Sequence, residues 1–262
     1  MTKRKITCIQ HNIVFGDPER NYAAMEASIA RATQNKPDIV VLPELWTTGY
    51  DLTRLDEIAD EEASRTRAFL AAAARKYGVD LVGGSAAERT PQGVFNTLLV
   101  YDREGRPCGA YSKAHLFRLM DEHLHLKAGD RKGRFELSGL RSAGAICYDI
   151  RFPEWIRANM ADGAEVLFVT AEWPLERLHH WRTLLIARAI ENQCWVVACN
   201  RSGRDPDHVF AGHSLIVGPW GDVLAEAGEE DEFLTAEIDT EEVARARGRI
   251  PVFEDRRPDL YR

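Results

Sequence analysis

The chain has little cysteine, no long apolar run and no concentration of basic charge, and each lack excludes something. Five cysteines occur in 262 residues, at 8, 108, 147, 194 and 199. Their number is odd and no two form a CxxC pair, so a disulfide framework and a thiolate zinc site are both disfavoured. No uninterrupted apolar run approaches the roughly 20 residues of a membrane-crossing helix. The N-terminal segment from Met1 to Cys8 is charged and lacks the apolar core of a secretion signal. Lysines and arginines are scattered among acids, the formal net charge is −7 and the pI is near 5.7. No basic stripe stands out to bind nucleic acid. A cytoplasmic protein with a small-molecule partner, away from nucleic acid and membrane, is expected. There is also no low-complexity tract, no Gly/Ser-rich linker and no short repeat. With a hydrophobic share of 45% the chain can bury a sizeable core, and a single domain over residues 1–262 is expected.

What is present is an alternation of short apolar runs with helical stretches. Ile6–Gln10 and Asp38–Leu42 read as strands, as do 79–83, 95–101 and a segment ending near Ser112. Glu19–Asn35 carries Tyr22, Met25, Ile29 and Ala32 at helical spacing. Residues 61–77 read as a helix that stops at Gly78, where a C-cap glycine belongs. Further strands are expected at 142–147, 166–170, 195–200, 214–217 and 233–238. Helices are expected at 153–160 and 178–192, with Leu178, Trp181, Leu185 and Ala189 on one face of the second. This is an α/β layered pattern, built either as two stacked sheets or as one large sheet.

Three strand ends carry chemistry. Cys147 closes an apolar strand and runs straight into Tyr148-Asp149-Ile150-Arg151-Phe152-Pro153. A thiol at such a turn has the placement of a nucleophile elbow, although no glycines flank it; the competing reading is an inert buried cysteine. Glu44 follows the run Val40-Val41-Leu42-Pro43. A carboxylate in semi-apolar surroundings suits a general base, and pairing with an arginine is the alternative. Lys113, in Tyr111-Ser112-Lys113-Ala114-His115-Leu116-Phe117, is a cation beside an apolar stretch. It either snorkels to the surface or, paired with carboxylates, stabilises an oxyanion.

Taken together and in this order, these segments resemble the nitrilase superfamily of carbon–nitrogen hydrolases over nearly the whole chain. The matching elements are LPELWTTGY at 42–50, YSKAHLF at 111–117, CYDIRFPEW at 147–155, ARAIENQCWVVACNR at 187–201 and PVFEDRRPDLY at 251–261. The resemblance implies a four-layer α-β-β-α sandwich that pairs into a homodimer or a higher homo-oligomer. It implies Glu44 as general base, Lys113 as oxyanion stabiliser and Cys147 as nucleophile. A second glutamate, supplied here by Glu122 next to Asp121, would orient the lysine or the substrate amide. Lys113 would ease ionisation of the thiol, and Lys113 with the backbone N–H of Tyr148 would hold the tetrahedral oxygen. No metal or organic cofactor is required; His123, His125, His179 and His180 have no acidic or thiol cluster beside them in sequence.

The block HLFRLMDEHLHLKAGD at 115–130 resembles the ω-amidase branch, which hydrolyses the terminal amide of α-keto acids such as 2-oxoglutaramate. Such a substrate needs a cation for its carboxylate. Arg118 is the first choice, with Arg177 and Arg151 behind it, and a structural ion pair is the competing role for Arg151. Tyr50, Phe117, Tyr148 and Trp173 are the expected pocket walls. Other readings are an N-carbamoyl amino-acid hydrolase, an amidase for deaminated glutathione, a nitrilase, a glutaminase serving a partner synthetase, and a non-catalytic interaction module.

Overall fold

Period-two alternation sorts the strands into two faces. In β1 (Lys3–Gln10), β2 (Ile39–Val41), β4 (Asp80–Thr90) and β5 (Gly93–Tyr101), Ile6, Cys8, Ile39, Val41, Val82, Leu98 and Val100 point one way. Ile9, Val40, Leu81, Leu99 and Tyr101 point the other way, as successive side chains of a strand must. The first set enters the core between two sheets. The second packs under α1 (Pro18–Ala32) and α3 (Ser64–Tyr77), beside Tyr22, Met25, Ile29 and Leu70.

The structure is a computed structural model that describes residues 3–261. Met1 and Thr2 of the charged N-terminal segment, and Arg262 at the end of the expected 1–262 unit, lie outside the described residues.

The first sheet has the order β13-β1-β2-β4-β5-β6, with β3 (Asp60–Glu61) added beside β4; β6 is Pro107–Ser112 and β13 is Glu232–Asp239. The second has the order β12-β11-β10-β9-β8-β7. Its strands are β7 (Arg134–Leu137), β8 (Leu140–Ile146), β9 (Val166–Ala171), β10 (Trp195–Asn200), β11 (Leu215–Val217) and β12 (Val223–Glu226). The sheets meet face to face through β1 against β10 and β4 against β9. On the outer face of the second lie α5 (Pro153–Met160) and α6 (Leu178–Asn192), which buries Trp181, Leu185 and Ala189 as the sequence pattern implies. The result is the expected four-layer α-β-β-α sandwich. The short helices α2 (Leu55–Ile58) and α4 (Glu122–His125) sit in loops, and α7 (Glu241–Arg249) follows β13.

Three details depart from the sequence reading. Residues 60 and 61 are not helical: they pair with Glu88 and Arg89 of β4, and a left-handed pair at Glu62 and Ala63 delays the helix to Ser64. The strand expected at 79–83 runs on to Thr90, because a bulge between Val82 and Ser85 carries it past Gly83-Gly84 into a hairpin with β5. The elbow does not enter its helix directly: Cys147–Arg151 is a 3₁₀ turn that precedes α5.

Candidate active site

The β1, β2 and β4 strands run parallel, as do β8, β9 and β10. Their carboxyl ends therefore gather at one edge of the sandwich, the usual ligand edge of such sheets. Glu44 lies just past β2, Lys113 just past β6 and Cys147 just past β8.

The bulge in β4 holds Glu44 in place. Ser85 accepts at its Oγ from the Leu45 N–H at 2.9 Å, and the indole of Trp46 donates to the Gly83 carbonyl at 2.9 Å. Gly84 has φ +62°, and a Cβ there would lie 2.2 Å from the Pro43 carbonyl oxygen, so no other residue allows this approach. Lys113 leaves β6 with its N–H on the Asn96 carbonyl at 2.9 Å. Cys147 has φ +44°, a left-handed conformation uncommon outside glycine and often held at functional sites by the surrounding structure. Here the surrounding structure is Asp149, fully buried. Its carboxylate accepts from the Ile146 N–H (3.0 Å), the Tyr111 hydroxyl (2.7 Å) and the His115 N–H (3.1 Å), and meets His115 Nδ1 at 2.7 Å. One buried side chain thus ties the elbow to the segment that carries Lys113.

The reactive groups converge. Glu44, Lys113 and Glu122 are 0% exposed and Cys147 is 5% exposed. Lys113 Nζ donates to Glu44 Oε1 at 2.8 Å and to Glu122 Oε1 at 2.6 Å. Glu122 is steadied at its other oxygen by the Phe117 N–H at 2.7 Å. An ammonium has three N–H donors. Two are committed here, and the 3.5 Å approach to the Tyr50 hydroxyl is long enough to leave the third for a developing oxyanion. The Cys147 thiol lies close enough to Glu44 for that carboxylate to raise it.

Burial shapes the electrostatics. It disfavours the Lys113 ammonium, but Glu122 and Glu44 outweigh it and hold the group well above its ordinary value. Burial also pushes the Glu122 carboxyl up against the pull of Lys113. The Cys147 thiol is raised well above its ordinary value, first by burial and then by Glu44, with Lys113 opposing. Lys113 favours ionisation of the thiol, but burial and Glu44 outweigh it. The lysine also serves two carboxylates, Glu44 and Glu122.

Cys147 alone of the four lines the pocket, whose other walls are Phe117, Met120, Tyr148, Arg151, Trp173, Pro174 and Arg177. It is a small pocket, far below the 300–1,000 Å³ usual for drug-sized ligands. The expected walls Phe117, Tyr148 and Trp173 are in place, with Phe117 and Tyr148 packed at 4.7 Å between ring centroids. Two of the expected residues are not among these walls. Arg118 is exposed and lines a separate groove with Leu119 and Phe152. The 3₁₀ turn Arg118–Met120 turns Met120 into the pocket instead, since residues two apart in such a turn face different ways. Tyr50 does not line this pocket; its hydroxyl bridges the Glu44 and Glu122 carboxylates. Arg151 is in the pocket wall but not as an ion pair: among the described residues it meets no carboxylate, lying 4.7 Å from the Trp173 ring centroid and 3.3 Å from His180 Nδ1. Arg177 contacts the exposed Glu176 and lies over the Phe117 ring.

Sequence reasoning missed Asn96, whose amide donates to Glu44 Oε1 at 2.8 Å. It also missed the buried pair Glu172 and Arg201, joined at 2.6 Å. Asn96 sits within the strand read at 95–101 with nothing local to single it out, but Glu172 follows an apolar strand just as Glu44 does, and that signal was there to read.

A sandwich of this layering, with a thiol at a strand end backed by a buried carboxylate–ammonium cluster, defines the class of carbon–nitrogen hydrolases of nitrilase type. The family model described as carbon-nitrogen hydrolase matches residues 5–248. The chain belongs to that family, and it is an enzyme that hydrolyses amides. It is 55% identical over 259 residues to a 2-oxoglutaramate amidase of Bacillus subtilis (strain 168), covering 99% of this chain and 100% of that one. It is 37% identical to the omega-amidase YafV of Yersinia enterocolitica, with 97% of each covered. A CN-hydrolase superfamily protein from Xanthomonas campestris, solved with an arsenic adduct in its active site, matches with a TM-score of 0.92 at 33% identity over 98% of each chain.

Proposed function

We propose that this enzyme hydrolyses the terminal amide of a short α-keto acid, with 2-oxoglutaramate as the leading substrate, to a dicarboxylate and ammonia. The observation that carries the reading is the pairing of a thiol floor with Arg151 and Arg177 in the same small pocket. A guanidinium that has no carboxylate partner of its own fits a substrate carboxylate. The names of the Bacillus and Yersinia relatives support the same substrate class.

In this mechanism Glu44 takes the Cys147 proton as the sulfur attacks the amide carbon. The third N–H of Lys113 and the backbone N–H of Tyr148 receive the oxyanion; such a donor is worth about 3 kcal/mol of barrier. Glu44 returns the proton to the amide nitrogen, the C–N bond breaks and ammonia leaves a Cys147 thioester. Glu44 then deprotonates a water, which attacks the thioester. The C–S bond breaks, the carboxylate product departs and the sulfur recovers a proton. Glu122 fixes Lys113 throughout. No step calls for a metal or organic cofactor. Within this reading residues 1–262 act as one catalytic unit in the cytoplasm, assembled as a homodimer or larger; light scattering after size exclusion measures the assembly.

The test is ammonia release from 2-oxoglutaramate, glutamine, an N-carbamoyl amino acid and a simple aliphatic nitrile. Release from 2-oxoglutaramate should exceed the rest by at least tenfold in kcat/KM. Arg151→Ala should raise KM for 2-oxoglutaramate while leaving turnover of a short neutral amide within about twofold. Equal rates across the panel sink the substrate assignment and leave amide hydrolysis standing.

A further inference from the structure

The two oxygens of Glu44 have unequal duties. Oε1 accepts from Lys113 Nζ at 2.8 Å and Asn96 Nδ2 at 2.8 Å, with the Tyr50 hydroxyl oxygen 3.2 Å away. A carboxylate oxygen has about two lone-pair sites, so Oε1 is saturated and proton transfer falls to Oε2. Oε2 accepts from the backbone N–H of Glu172 at 2.8 Å. Its aim therefore depends on where residue 172 is held.

Residue 172 is held by Arg201. Ala171 and Asn200, the last residues of β9 and β10, are partners in register, so Glu172 and Arg201 leave adjacent strand ends side by side. Arg201 Nη1 donates to Glu172 Oε2 at 2.6 Å, and both side chains are 0% exposed. Arg201 Nη2 donates to the carbonyls of Ile13 at 2.8 Å and Arg204 at 3.1 Å, and the guanidinium lies 4.1 Å from the Phe210 ring centroid. The Arg201 N–H donates to the Ala171 carbonyl at 3.0 Å. One cation thus clamps the end of β9 to two loops.

As a stabilising device the pair is poor. Among the described residues Glu172 Oε1 and Arg201 Nε are buried without a hydrogen-bond partner, and incompletely satisfied buried ion pairs seldom repay their desolvation. Burial pushes the Glu172 carboxyl up to about 8, with Arg201 opposing and Glu44 and Asp205 adding to the rise. Glu172 therefore feels the general base directly as well as through its own N–H.

We propose that Glu172 and Arg201 are positioning residues that aim Glu44 Oε2 at the Cys147 sulfur, neither of them touching substrate. The proposal rests on Glu44 as the base for Cys147. It is tested on the full chain with Glu172→Gln, Arg201→Lys and Glu44→Gln. Three quantities are measured: kcat and KM for ammonia release, the second-order rate at which iodoacetamide alkylates Cys147 (with Cys147→Ala as background), and the melting temperature. Alkylation reads base-assisted thiol chemistry without reference to the natural substrate. Glu172→Gln should lower kcat and the alkylation rate together by tenfold or more, with KM within twofold. Arg201→Lys, which keeps the charge but loses the fork, should give a smaller loss in the same two quantities. A folded Glu172→Gln with kcat and alkylation within twofold of wild type overturns the proposal. Should Glu172→Gln fail to fold, Arg201→Lys decides by the same criterion. Alkylation lost in Glu44→Gln but intact in Glu172→Gln overturns this proposal alone, whereas alkylation that survives Glu44→Gln overturns the base assignment and this proposal with it.

Discussion

Asp149→Ala is the sharpest test of how the site is held. The carboxylate is fully buried and accepts from the Ile146 N–H, the His115 N–H and the Tyr111 hydroxyl. The Tyr111 oxygen in turn accepts from the Ala114 N–H at 3.1 Å and the Trp155 indole at 3.0 Å. Alanine strands three donors, two of them on the backbone. Each unpaired buried donor costs about 1–3 kcal/mol, so a loss of about 4 kcal/mol is expected after partial relaxation. At roughly 2–4 °C per kcal/mol for a chain of this size, the melting temperature should fall by about 8–16 °C. Activity should fall further than stability at the assay temperature, because Asp149 fixes the Cys147 elbow and the Lys113 segment relative to each other. A misplacement of about 1 Å costs on the order of a hundredfold in rate. Asp149→Asn, which keeps the shape but turns an amide N–H toward one of the same donors, should lie between. Thermal melts by circular dichroism and ammonia release, both at a temperature where the variant is folded, measure the two effects. An alanine variant that melts within about 3 °C of wild type would refute the argument, since that bounds the network at roughly 1 kcal/mol.

Cys147→Ala should abolish turnover while changing the melting temperature little, and activity above about 1% of wild type would rule out the thiol as nucleophile. Lys113→Met should lower kcat by about 10²–10³-fold and leave two buried carboxylates without their cation, at a cost of about 3–5 kcal/mol; a loss of less than about tenfold in kcat would remove Lys113 from the oxyanion role. Glu172 makes stability depend on pH. Its carboxyl is raised from 4.5 to about 8 in the folded protein, so the folded state holds the proton more tightly than the unfolded one. The stabilisation is complete below about pH 4.5, declines by about 1.4 kcal/mol per pH unit above that, and is gone once the pH passes about 8. Urea unfolding of wild type and Glu172→Gln at pH 5, 6.5 and 8 measures the difference between them, and parallel curves would show that Glu172 does not titrate in this window.

The residues that were legible in the sequence share one trait: each interrupts an apolar strand end with a group that is costly to bury. Glu44, Lys113 and Cys147 stand out for that reason, and the strands behind them were placed within a few residues. What was not legible depends on the direction of loops and on the register between strands. Arg118 follows Lys113 by five residues, yet a single 3₁₀ turn faces it to solvent, and Met120 rather than Arg118 lines the pocket. Arg201 meets Glu172 only because β9 and β10 pair with Ala171 opposite Asn200, a fact with no trace in local spacing. The state of the thiol was hidden in the same way. A lysine near a cysteine reads as an aid to ionisation, but the structure gives that lysine two carboxylates. Burial first and then Glu44 push the thiol up and outweigh the pull of Lys113, which is shared between Glu44 and Glu122. In the proposed mechanism the sulfur gives up its proton to Glu44 as it attacks. In that mechanism the rate depends on the aim of one carboxylate oxygen, which the proposal assigns to residues remote from the substrate, as well as on the nucleophile.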